Sequence, residues 1–477
     1  MNKVVKKEIA LGLQPFIYAL LGTAVGLGVG AAGGIFGRGV DFFSSFGMEH
    51  FGLYVCFLPA VGILTAFMLR RWGNSASDMR GVFQVSRGEK QRFPLRSAFF
   101  QYAGAWTAHL FCASVGREGA GIQIGAAIGC NIGRRIPIKN ADKILLVAGM
   151  AAGFSALFGT PACALFFALE VTVVGGLHLR ALIASFFASY AAYFTAGLCG
   201  MEHFTAEFAF SASLSLPLVL RLIALGAACG LAGLFFCIAR EYIGKFLRAS
   251  LKNAYVRAFF GAVLLACLLY VSEGRYSGLG TNLIGFAVSG GQVYWYDWLV
   301  KMLFTAAFLS VGFLGGEVTT LFAAGACLGS VLGGALGLPP EAAACLGYAA
   351  VFGAATNTLI APVILGCELF GTNALPYMAI VCVAAYLFNF GKSVYDQKVR
   401  EDVAAKILHR LQRKPRRLPL PEPLYKRAHL PHYEPLRLLP NRPRAVRGFC
   451  IWRPQLRSGA LFGAEPVFIP ARRRFCG

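Results

Sequence analysis

Apolar runs of membrane-spanning length recur along this chain, and they restrict its fold more than any other feature. A bilayer core roughly 30 Å thick needs about 20 apolar residues in a helix. Clear runs of that kind lie at about 10–33, 52–69, 144–169, 179–199, 216–239, 256–271, 297–314 and 374–390. Shorter ones lie near 119–132, 318–336 and 340–355. The shorter runs predict tilted or broken helices, which at membrane depth must be enclosed by protein. Only 14% of the 477 residues are charged and 57% are hydrophobic, whereas soluble domains carry about 25% charged residues. The expected class is an all-α polytopic membrane protein.

The net charge of +23 does not point to nucleic acid, because much of it is local. Residues 401–477 hold 17 Lys/Arg against 5 Asp/Glu, which places +12 in the C-terminal tail. Lys3, Lys6 and Lys7 flank the first run. Positive charge beside spans marks the cytoplasmic side, so both termini are expected there. The first run is too long for a signal-peptide core and belongs to the mature structure. The 14 cysteines sit mostly singly in apolar segments, with no CxxC pair. Neither a structural disulfide, a metal site nor a cofactor is expected. No nucleophile–base set points to an enzyme.

A membrane domain is expected over 1–395, in halves of about 1–205 and 206–395, divided by the polar stretch near 200–215. The halves share patterns. Gly116-Arg117-Glu118 matches Gly315-Gly316-Glu317 at an offset of 199, and Gly-Ala-Ala/Cys-x-Gly runs follow at 125–129 and 325–329. Glu170 and Glu368 each end an apolar run. Such duplication, often inverted, is a common transporter plan with the site at the repeat interface. Residues 396–412 read as a closing cytoplasmic helix. Residues 413–477 read as a basic, disordered tail, rich in Pro and Arg, resting on anionic lipid. Its composition also fits a shifted reading frame, and no function is assigned to it.

The chemistry-bearing residues sit at glycine-rich helix starts. Unpaired N–H groups at such starts carry partial positive charge and bind anions. In Gly116-Arg117-Glu118-Gly119, the Glu118 carboxylate can occupy that anion position when ionised and leave it when protonated. An ionisable residue inside an apolar bundle is a functional candidate by default. Gly315-Gly316-Glu317-Val318-Thr319-Thr320 has the same form, with Glu317 as proton or hydrogen-bond acceptor and Thr319 as hydroxyl donor. Ser77-Asp78-Met79-Arg80-Gly81-Val82-Phe83 is a third candidate helix start, with Ser77 and Asp78 as caps. Glu170 and Glu368 are weaker candidates, with a structural alternative of bonding to nearby backbone. Tyr395 follows Gly391-Lys392-Ser393-Val394 and could equally be an interfacial anchor.

These motifs resemble those of the CLC family of chloride channels and anion/proton antiporters. Gly116-Arg117-Glu118-Gly119-Ala120-x-x-Gln123-x-Gly125 resembles the family's GREGP-x-x-Q-x-G signature, with Ala120 replacing proline. Ala151-Ala152-Gly153-Phe154-Ser155-Ala156-Leu157-Phe158-Gly159-Thr160-Pro161 resembles its AAG-x-x-A-x-F-x-x-P element. Gly391-Lys392-x-x-Tyr395 resembles its closing GK-x-x-Y. The resemblance covers about 10–412 and implies a homodimer with one pore per subunit, built as an inverted repeat of tilted and broken helices. By the same resemblance, Glu118 is the gating and proton-coupling glutamate. Gly116, Arg117, Gly119, Met79, Val318, Thr319 and Tyr395 surround the anion, and Tyr395 is the inner-gate tyrosine.

Three departures refine the expected ion. Met79 stands where chloride-selective members carry serine, and Glu317 and Thr319 replace residues of the usual GGxFxP loop. Both features resemble the fluoride/proton antiporter branch, which exports fluoride from bacteria. The family's intracellular proton-transfer glutamate falls at Val171, a loss shared with that branch and with channels. The resemblance therefore implies fluoride and protons as cargo, Glu317 and Thr319 on their pathway, membrane lipids as surroundings and the bacterial inner membrane as location. A chloride/proton antiporter or chloride channel of the same fold is the alternative. A non-transporting helical scaffold is a third possibility, opposed by the number of acids at glycine-rich helix starts.

Overall fold

The structure is a computed structural model, and it describes residues 3–71, 79–90, 93–174 and 176–399. The chain divides into two units, Met1–Ile407 and Leu408–Gly477; every described residue lies in the first. The expected tail at 413–477, and Ser77 and Asp78, lie outside the described residues.

The first half runs α1 (Lys3–Glu49), α2 (Phe51–Tyr54), α3 (Leu58–Arg71), α4 (Met79–Arg87), α5 (Arg96–Leu110), α6 (Glu118–Gly133), α7 (Ala141–Phe158), α8 (Pro161–Glu170) and α9 (Leu182–Leu198). The second runs α10 (Leu216–Ser250), α11 (Ala254–Val271), α12 (Thr281–Val288), α13 (Asp297–Val311), α14 (Val318–Leu336), α15 (Pro340–Thr356), α16 (Ile360–Phe370) and α17 (Leu375–Phe388). Apart from the one-turn α2, each half holds eight helices in the same order, opening on its longest, α1 of 47 residues and α10 of 35.

The halves are inverted with respect to each other. Glu170, at the end of α8, accepts hydrogen bonds from the backbone N–H groups of Leu359 (2.6 Å), Ile360 (3.1 Å) and Ala361 (3.2 Å) at the start of α16. Glu368, near the end of α16, accepts from Ala162 (2.9 Å) and Cys163 (2.8 Å) at the start of α8. Each helix thus ends at the other's beginning, so the two run antiparallel. The exchange satisfies orphan N–H groups at both starts, where a carboxylate also complements the helix dipole.

Among the described residues, seven helices are long and apolar enough to cross a membrane, including Gly12–Glu49, Ala141–Phe158, Leu216–Ser250 and Val318–Leu336. At about 1.5 Å per residue, the 47-residue α1 is roughly 70 Å long, far more than an upright crossing needs. By contrast, α7 and α15 are buried along nearly their whole length. Lipid tails give helices no hydrophobic reason to associate, so close packing of small residues must hold them. Between α6 and α7, a β-carbon at Gly125 would lie 2.0 Å from the Gly149 carbonyl oxygen, and one at Gly149 would lie 2.1 Å from that of Gly125. Between α14 and α15, Gly325 and Gly347 repeat the same reciprocal contact at 2.3 Å each way.

Several expected boundaries change. The run at 144–169 is two helices: α7 stops at Gly159 in a left-handed conformation (φ +67°), and Pro161 opens α8 at a position needing no N–H donor. The runs at 297–314 and 374–390 form the shorter α13 and α17, of 15 and 14 residues. Residues 318–336, expected to be too short to span, form a 19-residue helix of spanning length. The stretch near 200–215 forms no regular element over 201–215. It is pinned to the second half instead, through Ala206 N–H to Leu369 O (3.1 Å) and Phe208 N–H to Phe370 O (3.2 Å). The expected closing helix at 396–412 does not begin there. Lys398–Val399 (β2) is extended and pairs in parallel with Val173–Val174 (β1), which satisfies backbone groups that a helix start would leave unpaired; residues 400–412 lie outside the described residues.

The helix contacts make a graded prediction. Gly125→Leu should cost about 3 kcal/mol or more, because the neighbouring backbone cannot retreat. Gly28→Ala, where a β-carbon meets nothing within 4 Å, should not lower stability, since alanine suits a helix interior better than glycine. Thermal unfolding and elution profile in detergent would distinguish them.

Candidate functional site

The site forms where two loops meet back to back. Gly116 N–H donates to Gly316 O at 2.6 Å, and Gly316 N–H donates to Gly116 O at 2.7 Å. The bridge is antiparallel, and α6 and α14 each begin two residues beyond it. It also corrects the sequence register. Gly116 pairs with Gly316, so Arg117 and Glu317 are counterparts at the N-cap positions and Glu118 corresponds to Val318. The apparent match of Glu118 with Glu317 is one residue out of step.

Two helix N-termini therefore converge on one place. The first intrahelical bonds there are Gly121 N–H to Arg117 O and Leu321 N–H to Glu317 O, so the N–H groups before them have no intrahelical acceptor. Glu118 is fully buried at this point. Its carboxylate folds back over the bridge: β-carbons at Gly116 and Gly316 would lie 2.5 Å and 2.8 Å from Oε2. Only glycine leaves room for it on both sides. Neither carboxylate oxygen makes a hydrogen bond of good geometry, although the backbone of Arg117, Glu118 and Thr319 lies beside it.

Cavities open on either side. The larger, about 490 Å³, is lined by Met79, Phe83, Gly119, Arg240, Glu317 and Tyr395 among others. The smaller, about 60 Å³, is lined by Arg117, Thr281, Thr319 and Tyr348 among others. Glu118 lines neither and lies between residues that line each.

The remaining candidates divide between these spaces. Met79 opens α4 and is half-buried at the larger cavity. Tyr395 is buried there, its hydroxyl without a partner and its ring 5.6 Å from that of Phe83. Glu317 is buried with its carboxylate 3.8 Å from Arg240 Nη1. Thr319 belongs to the smaller cavity, with a buried, unpartnered hydroxyl. Val318 is buried as the first residue of α14. The Arg117 guanidinium turns toward α1, pairing with Asp41 at 2.6 Å and lying 3.4 Å from Leu157 O. Glu170 and Glu368 are not brought to either cavity, since both carboxylates are engaged as the helix caps described above.

Sequence reading missed four contributors. Arg240 and Phe83 line the larger cavity, and Gln101 Nε2 donates to Gln123 Oε1 at 2.8 Å on its wall. The fourth, Lys301, is fully buried in α13. Its ammonium donates to Ser114 Oγ (2.9 Å) and to the carbonyls of Tyr276 (2.9 Å), Ser277 (3.3 Å) and Gly278 (2.8 Å). It ties the loop leading to Glu118 to the loop leading to α12, whose Thr281 and Ile284 line the smaller cavity. The signal was available: a lysine in the middle of an apolar run.

Comparison with known proteins bears on the family and the fold. The family profile described as voltage gated chloride channel matches residues 61–389. A protein of Pseudomonas syringae pv. tomato described as a chloride/fluoride channel protein is 32% identical over 406 residues, covering 83% of this chain and 89% of that protein. A Vibrio cholerae protein described as an H+/Cl− exchange transporter is 26% identical over 443 residues, covering 83% and 91%. A solved structure described as a CLC-type fluoride/proton antiporter superposes with a TM-score of 0.79 at 40% identity, over 81% of this chain and 98% of that one. A cyanobacterial Cl−/H+ antiporter structure shares the fold, with a TM-score of 0.67 at 16% identity, over 84% and 99%.

Lys301 carries the stability prediction. Lys301→Met would leave Ser114 and three carbonyls without their donor, at about 1–3 kcal/mol for each group that water cannot reach. The expected result is a lower thermal unfolding midpoint in detergent, partly restored by Lys301→Arg.

Proposed function

The chain belongs to the voltage gated chloride channel (CLC) family, and from that premise we propose that it is a fluoride/proton antiporter that exports fluoride. The observation carrying this reading is the set of donors around Glu118. The hydroxyls of Thr319 and Tyr395 are buried without partners. The N-termini of α6 and α14 converge beside them, and Met79 stands at the larger cavity. Fluoride is small and strongly hydrated, so a site for it must replace water with close donors, since burying an unpaired anion is prohibitive. Methionine offers no hydroxyl at the position where serine would favour chloride. The 40% identity to a structure described as a fluoride/proton antiporter, and the similarity to a chloride/fluoride channel protein, support the same ion.

In this mechanism Glu118 and the anion compete for one positive region. Ionised, the carboxylate lies over the Gly116–Gly316 bridge. Protonated, it has no charge to offer the two N-termini and gives up the place to fluoride. Proton and anion therefore exchange at one point between the two cavities. Glu317, beside Arg240, and Thr319, in the opposite cavity, supply polar stations on the two sides. Each proton moved down a gradient of one pH unit supplies about 1.4 kcal/mol, a tenfold ratio for a coupled ion. Protonated fluoride that diffuses inward and ionises would be driven out by this exchange. The proposal is of transport, with no catalysed covalent reaction. It places the protein as a homodimer in a bacterial inner membrane with both termini cytoplasmic, a placement supported by the basic ends at Lys3, Lys6 and Lys7 and the basic tail.

Reconstituted liposomes test the reading, with fluoride and chloride electrodes and a pH probe. Fluoride efflux should be accompanied by proton uptake and should far exceed chloride efflux. Chloride leaving as fast as fluoride would replace this reading with chloride exchange on the same fold. Glu118→Gln should abolish proton uptake, and proton movement persisting unchanged would remove Glu118 from the coupling. Met79→Ser should raise chloride efflux relative to fluoride.

A further inference from the structure

A second polar cavity, which shares no lining residue with those beside Glu118, lies where α1 and α4 meet the beginnings of α7 and α9. It measures about 660 Å³, and Gln14, Ser86, Lys139, Lys143, His178 and Arg180 supply its polar wall. Among the described residues no carboxylate lines it. Lys139, Lys143 and Arg180 have no ion-pair partner among the described residues. Lys139 and Arg180 are exposed and Lys143 is half-buried. The start of α7 opens into the same space: Asn140, its N-cap residue, lines the cavity and caps no N–H with its side chain. The positive end of an 18-residue helix thus adds to the basic side chains. Burial and the neighbouring Arg180 hold the His178 imidazole below its usual range, so it serves as a neutral hydrogen-bonding wall.

The cavity borders an apolar surface. Gln14, Pro15 and Tyr18 of α1 line it, and the same turns of α1 expose Leu13, Phe16, Ile17 and Leu20, with Phe16 and Leu20 more than two-thirds exposed. A ligand for this place carries negative charge at one end and hydrocarbon at the other. A free anion would use only the first half of it. Lys143 Nζ lies against Gly88 at the end of α4, next to Arg87, whose charge is already taken by Glu89 (3.0 Å) and Asp396 (3.6 Å), so the basic groups left for a ligand are those of the cavity itself. Such basic pockets between spanning helices on the cytoplasmic side suit anionic head groups.

We propose that this cavity holds the phosphate head group of an anionic phospholipid from the surrounding leaflet, with its acyl chains along the exposed apolar edge of α1. The head group lies between Lys139, Lys143 and Arg180 at the start of α7. The inference concerns a separate surface and does not depend on which anion is transported.

Native mass spectrometry of the full chain, released from a mixture of phosphatidylglycerol and phosphatidylcholine, tests it. The parent protein should retain phosphatidylglycerol preferentially, each basic side chain near the head group contributing about fivefold. The variant Lys139→Ala/Lys143→Ala/Arg180→Ala should carry one fewer tightly held phosphatidylglycerol. A control, Lys245→Ala/Arg248→Ala/Lys252→Ala, removes the same charge from the exposed end of α10 and should retain the parent count. Equal loss in both triple variants, or no loss in the first, overturns the proposal. So does displacement of the lipid by millimolar inorganic phosphate, which would make this a free-anion site. Unchanged anion efflux and elution profile in the first variant would establish that it is folded, and the charge-conserving Lys139→Arg/Lys143→Arg variant should keep the lipid.

Discussion

Two backbone hydrogen bonds between Gly116 and Gly316 bring the starts of α6 and α14 to a common point, and the site depends on that meeting. A helix start presents unpaired donors with partial positive charge. Two such starts, facing one another inside protein, form a region that must contain an acceptor or an anion. The Glu118 carboxylate occupies it. Side chains at either glycine would exclude that carboxylate, and side chains at Gly125, Gly149, Gly325 or Gly347 would separate the helix pairs that carry the two starts. Small residues at these contacts therefore serve function through packing. The reciprocal caps from Glu170 and Glu368 fix α8 and α16 head to tail by the same physics applied twice.

The buried acids show how the interior separates structure from chemistry. Among the described residues they are Glu118, Glu170, Asp297 and Glu317. Glu170 is consumed by the start of α16. Asp297 is held by Arg275 (2.5 Å), the Tyr276 hydroxyl (2.7 Å) and the Tyr294 N–H (2.8 Å). Glu317 has Arg240 at 3.8 Å, a loose pairing at the wall of the larger cavity. Of these four, Glu118 alone has neither an ion pair nor a well-formed hydrogen bond. An acid so placed is costly to keep charged, and the fold offers it only helix ends, which can accept another anion instead. Lys301 is the converse case, a buried cation surrounded by four acceptors and without a carboxylate. Its charge lies between the two loops that shape the narrow side of the site.

Much of this was legible in the sequence because it is local. Gly116-Arg117-Glu118-Gly119 announces a helix start with a carboxylate in it, and Gly315-Gly316-Glu317 announces a second. Gly159 and Pro161 also carried the break between α7 and α8, but hydropathy ran across them and merged two helices into one. What could not be read was pairing at a distance. Arg117 looked like an anion ligand, and its guanidinium is instead taken by Asp41 on α1. Glu170 and Glu368 read in sequence as weaker site candidates or as acids bonded to nearby backbone, and the backbone they bond lies in the other half of the chain. The register of the repeat was also ambiguous, since aligning one glutamate with another is natural in sequence, whereas the backbone aligns Gly116 with Gly316. Lys301 was hidden by averaging, because a single lysine barely lowers the hydropathy of an apolar run.

The division of the candidate residues between two cavities limits how ion and proton can be coupled. Met79, Glu317 and Tyr395 face the larger space, while Arg117 and Thr319 face the smaller. On the proposed pathway, an anion crossing from one to the other passes the place held by the Glu118 carboxylate, which lies over the bridged Gly116 and Gly316. In the proposed exchange, the charge at that place is carried either by the carboxylate or by the ion, and a proton that neutralises Glu118 frees the place for an anion. In the same proposal selectivity belongs to the donors on either side, because two helix ends attract any anion, whereas the spacing and kind of donor distinguish one halide from another.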